Sequence, residues 1–120
     1  MNDTFERLKA IMLPVTDSLD VVADKPGHFD VCTSHMMKNR KPLWFGAVRI
    51  MKNYVSYHLM PVYANPELLA DLSDPLRKRM QGKSCFNFKV IDEELFEELE
   101  TLTRRGYDDY AAKGYVDARS

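Results

Sequence analysis

The sequence predicts an α+β domain, a two-layer sandwich in which an antiparallel sheet of about five strands carries helices on one face. Three observations predict it. Apolar residues recur with a helical period at the two ends of the chain and with a period of two in the middle. The period-two segments come in pairs joined by short turns, so neighbouring strands run antiparallel. The terminal helical segments are amphipathic and need a sheet to bury their apolar faces. The 120 residues, 45% apolar and 29% charged, suffice for one core without disulfides or a structural metal. A single domain over residues 1–120 is expected.

The elements follow in order. A helix is expected over residues 3–13, capped by Asp3 with Glu6 completing a capping box, and ended by Pro14. Phe5, Leu8, Ile11 and Met12 form its apolar stripe. LDVVAD and HFDVCTS flank the turn Lys25-Pro26-Gly27 as a first hairpin. LWFGAVRI and YVSYHLM, joined by Met51-Lys52-Asn53, make a second, rich in β-branched and aromatic residues. Alternation places Trp44, Gly46, Val48 and Ile50 on one face of its first strand. In its second strand Val55, Tyr57 and Leu59 oppose Tyr54, Ser56, His58 and Met60. Pro61 stops that strand. Asn65-Pro66-Glu67 and Ser73-Asp74-Pro75 start two short helices, the second ended by Gly82. SCFNFKV is the fifth strand, with Phe86, Phe88 and Val90 on one face. A long helix over residues 93–113 closes the chain, capped by Asp92, with an Ile91–Phe96 staple and a stripe of Leu95, Leu99, Leu102, Gly106 and Tyr110.

Charge and hydropathy exclude several functions. The formal net charge of -1 argues against a general nucleic-acid binder. No apolar run approaches the roughly 18 residues that span a bilayer. MNDTFERLKA lacks the apolar centre of a signal peptide, so a cytoplasmic location with Cys32 and Cys85 as free thiols is expected. The charge is nonetheless uneven. Arg77, Lys78, Arg79, Lys83 and Lys89 form a basic stretch, followed by the acidic run Asp92, Glu93, Glu94, Glu97, Glu98 and Glu100.

Three constellations could carry chemistry. On the last helix the like-charged pairs Glu93–Glu97 and Glu94–Glu98 each cost roughly 0.2–0.5 kcal/mol, offset in the first turn by the helix dipole. A hard cation such as ferrous iron could bridge two of these carboxylates. His28, Asp30 and Cys32 alternate on one strand face and offer nitrogen, oxygen and sulfur ligands, although same-face side chains stand about 7 Å apart. The best pocket candidate groups Trp44, Tyr57, His58, Arg79 and Lys83: an aromatic wall, a proton-exchanging imidazole and two cations for an anionic group. Two further motifs fail. Gly82-Lys83-Ser84 has the tail of a phosphate-binding loop, but Arg77 stands where its first glycine belongs and a strand follows. Cys85 with His58 lacks an orienting third residue.

The segments KPLWFGAVRIMKNYVSYHLMPVYANPELL, LRKRMQGKSCFNF and IDEELFEELETLT resemble the YdhG-like family, catalogued as domain of unknown function number 1801. The likeness covers residues 41–106. It implies a frataxin-like sandwich and, by analogy with members described as iron chaperones, weak exchangeable iron binding at Glu93, Glu94, Glu97 and Glu98. The expectation is therefore a non-enzymatic carrier passing iron to an accepting protein. The alternatives are a small-molecule-binding domain using the aromatic, histidine and basic pocket, or a protein-interaction module.

Overall fold

The computed structural model describes residues 1–117. It is an α+β protein with one 6-stranded antiparallel sheet. Helix α1 (Asn2–Met12) leads through a 3-10 turn (Leu13–Ser18) into strands β1 (Asp20–Lys25), β2 (His28–Met36), β3 (Pro42–Ile50) and β4 (Val55–Leu59). Short helix α2 (Met60–Ala64), a 3-10 turn (Pro66–Leu69) and short helix α3 (Asp74–Arg77) follow. Strands β5 (Met80–Gln81) and β6 (Cys85–Phe88) and the long helix α4 (Glu93–Ala112) complete the elements of the described residues. The strand order is β1-β2-β3-β4-β6-β5.

The helices form the second layer. Phe5, Leu8 and Met12 of α1 and Phe96, Leu99 and Tyr110 of α4 are buried against Phe29, Val31, Val48, Val55, Tyr57 and Phe86 of the sheet. Each fully buried side chain of this size contributes about 1.5–3 kcal/mol, and the two faces make one continuous core. Gly106 lets α4 approach α2: a Cβ there would lie 3.0 Å from Cβ of Pro61.

Several details differ from the sequence expectation, each for a physical reason. The sheet has a sixth strand, β5, whose two residues are too few to leave a periodic signal. Residue 82 therefore closes a β5–β6 turn, with φ 79°, and does not end a helix. Asp3 lies inside α1, which Met1 caps without a side-chain hydrogen bond, so the capping box does not form. Pro14 ends the α-helix, but its fixed φ suits the 3-10 turn that continues from it. The Asn65 start opens only that second 3-10 turn, its side chain accepting from the Glu67 N–H. Strand β6 stops at Phe88; Val90 is 69% exposed and Ile91 41%, so neither the extended strand nor the Ile91–Phe96 staple forms. Asp92 does cap α4, accepting from the Leu95 N–H at 3.3 Å.

The most consequential difference is a β-bulge. Val31 pairs with Gly46 and the next residue, Cys32, pairs with Trp44, leaving Phe45 as the extra residue. Phe45 and Gly46 both face the helices, and Trp44 turns to the other side of the sheet, away from Val48. The helical layer holds the bulge: the Tyr110 hydroxyl donates to the Trp44 carbonyl at 2.9 Å, and Phe45 packs edge-on against Tyr107 and Tyr110.

Candidate functional site

The sheet face opposite the helices carries a layer of polar side chains set by strand register. One row crosses the sheet as His28, Arg49, Ser56 and Asn87 on β2, β3, β4 and β6. The next row is Asp30, Ala47, His58 and Cys85, with Gln81 of β5 beyond it. Trp44 and Cys32 begin a third. Alternation alone puts these residues on one face, and the bulge adds Trp44.

Asp30 is the hub of this layer. Trp44 donates Nε1–H to its Oδ1 at 2.7 Å, Arg49 donates to Oδ2 at 3.3 Å, and His28 Nε2 stands 3.7 Å away. The Trp44 and His58 rings lie 5.4 Å apart at a tilt of 39°. Ala47, at the centre of this row, is fully buried. Burial, aided by the Arg49 charge, lowers the His58 pKa below its ordinary value, while Asp30 pulls it back up. The imidazole is therefore neutral at pH 7. Burial raises the Cys85 thiol, and burial with the Asp30 and Asp20 carboxylates raises Cys32, so neither is an activated nucleophile. Ser56 is 3% exposed, and its Oγ has no hydrogen-bond partner among the described residues.

At the β5–β6 end this face opens into a groove of about 490 Å³. Tyr54, Met80, Gln81 and Asn87 line it together with Lys78, Arg79 and Lys89. Asn87 links its floor, donating to the Gln81 side chain at 2.5 Å and accepting from Cys85 Sγ at 3.3 Å. None of the three cations forms an ion pair among the described residues. A second groove of about 330 Å³ lies against the same three cations and is walled by Pro75, Phe88, Val90, Leu95 and Asp92.

The structure thus divides the pocket expected from sequence. It brings Trp44 and His58 together, but their contact and the Asp30 hydrogen bond occupy the space between them. Tyr57 points the opposite way: it is fully buried under α4, hydrogen-bonded to Thr103 Oγ1 at 2.6 Å, and its pKa is raised by burial. Arg79 lines the grooves, whereas Lys83 sits in the exposed β5–β6 turn outside both. Lys78, Lys89 and Tyr54 complete what the sequence grouping missed. Lys78 and Lys89 were visible as part of the basic stretch, but their convergence needs the short β5.

The acidic helix is also divided. Arg7 of α1 grips both oxygens of Glu93 at 2.8–3.1 Å. Glu98 accepts the Ser73 N–H at 2.8 Å and the Ser73 hydroxyl at 2.5 Å, anchoring the start of α3. Glu94 and Glu97 remain exposed. No group of three His, Cys, Asp or Glu side chains is placed to hold a metal ion among the described residues, the His28–Asp30–Cys32 strand included. No described helix is long and apolar enough to cross a membrane.

No protein-family model, curated protein or solved structure matches this chain.

Proposed function

We propose that this protein is a binding domain for a small organic anion, held in the groove at the β5–β6 end of the helix-free sheet face. The observation that carries this reading is the convergence of Lys78, Arg79 and Lys89, without acidic partners among the described residues, around a cavity that also offers Tyr54, Gln81 and Asn87. Such a set matches a ligand with one charged end and hydrogen-bonding groups. Arg79 presents a planar fork to a carboxylate or phosphate, and the lysines add point charges. The polar layer around Asp30 serves as the rigid floor beside it, not as the site.

This reading favours the small-molecule alternative over iron carriage, because Glu93 and Glu98 already hold α1 and α3 in place. Calorimetric titration with inorganic phosphate and with citrate tests it. Saturable binding that weakens with salt and disappears when Lys78, Arg79 and Lys89 are all alanine supports the proposal. Binding of equal strength to that variant overturns it. An anaerobic ferrous iron titration is the counter-test: binding abolished by alanines at Glu93, Glu94, Glu97 and Glu98 would replace the anion reading with iron carriage.

A further inference from the structure

The two grooves share their cations and differ in everything else. On the sheet side the lining is Tyr54, Gln81 and Asn87; on the α4 side it is Pro75, Phe88, Val90 and Leu95. Lys78, Arg79 and Lys89 stand between them and belong to both. Val90 on this wall is 69% exposed, and Ile91, next to it in sequence, is 41% exposed. The one carboxylate on this wall, Asp92, is turned to the α4 terminus as its cap. Exposed valine and isoleucine side by side leave apolar surface in water that a ligand could cover.

We infer that the ligand is an amphipathic monoanion, an alkyl carboxylate of medium chain length. Its carboxylate lies on Lys78, Arg79 and Lys89, and its chain runs along Pro75, Phe88, Val90 and Leu95. The inference rests on the three cations of the anion-binding reading above and extends the ligand from them into the second groove. A polar anion alone would use only the sheet-side groove. The apolar groove against the same cations accounts for a tail, and its volume of about 330 Å³ suits a chain of several carbons.

The test is a series of acetate, butanoate, hexanoate and octanoate, each titrated into the full chain below its micelle-forming concentration and followed by calorimetry. Affinity should rise about two- to fourfold per added methylene, as apolar surface leaves water in a groove that is open on one side. Val90→Asn, an uncharged polar change at a position 69% exposed, should flatten that rise, costing octanoate far more affinity than acetate. The lysine and arginine triple alanine variant should lose the whole series. Equal affinity across the series, with phosphate and citrate still bound through the three cations, refutes the alkyl tail and leaves the anion site standing. Chain-length-dependent binding that persists in the triple variant refutes both, since it would place the chain elsewhere. A chain-length dependence unaffected by Val90→Asn also refutes the tail position.

Discussion

Glu98 is the residue for which sequence and structure assign the most different roles, and its removal separates them. In the fold its carboxylate takes two hydrogen bonds from Ser73, at 2.8 Å from the N–H and 2.5 Å from the hydroxyl, while the Ser73 Oγ also accepts from the Leu76 N–H at 3.3 Å. Glu98→Ala removes a charged acceptor from both donors and leaves the Ser73 N–H half-buried and unpaired. Hydrogen bonds to a charged group contribute roughly 1.5–3 kcal/mol each, reduced here because the site is partly wet and the serine hydroxyl can turn to water. A net loss of about 2 kcal/mol follows. For a chain of this length that lowers the melting temperature by about 8 °C, at about 4 °C per kcal/mol. Glu94→Ala and Glu97→Ala, on exposed positions, should stay within about 0.5 kcal/mol of wild type. Urea unfolding followed by circular dichroism measures all three. Because α3 leads directly into Lys78 and Arg79, Glu98→Ala should also weaken phosphate binding, while Glu94→Ala and Glu97→Ala leave it unchanged. A Glu98→Ala protein as stable as the other two would refute the anchoring role and return Glu98 to the pool of free carboxylates.

Three further outcomes are expected. Gly46→Ala should destabilise by about 2–3 kcal/mol in thermal unfolding, because the new Cβ would sit 2.5 Å from the His58 carbonyl oxygen and 2.8 Å from Cε of Met12; an unchanged melting temperature would contradict the close β3–β4 approach. Trp44 is the sole tryptophan, so its fluorescence should be quenched as the neighbouring His58 protonates, with a midpoint below the ordinary 6.5, and His58→Gln should abolish the transition. Since the folded His58 pKa is depressed, its contribution to stability is complete above the unfolded value and is lost as pH falls through the folded one. Cys32 and Cys85, both raised by burial, should alkylate slowly with iodoacetamide at pH 8 and rapidly in denaturant; fast native labelling would refute their shielding.

Local pattern made most of the fold legible. Alternation and turn chemistry located the two hairpins, and the period of Phe96, Leu99, Leu102, Gly106 and Tyr110 identified the closing helix and its buried face. What escaped was set by contacts distant in sequence. Nothing between Leu43 and Ile50 announces that one extra residue will reverse Trp44; the cause is Tyr110 and Tyr107 gripping the strand from α4. Tyr57 and His58 are adjacent in sequence, which suggests a shared pocket, yet adjacency on a strand is the arrangement that puts two side chains on opposite faces. Glu93 and Glu98 read as free acids because Arg7 and Ser73 are 86 and 25 residues away. Lys89 and Lys78 meet only through a two-residue strand too short to show a period.

The central claim is a location, and an amide-resolved titration tests it most directly. Uniformly 15N-labelled protein would be titrated with citrate, and backbone amide shifts followed by two-dimensional NMR. The account predicts saturable shifts concentrated at Tyr54, at residues 78–81 and at residues 87–90, with the amides of β1 and β2 unmoved. Shifts centred instead on residues 93–98, or on Asp30 and Trp44, would contradict it.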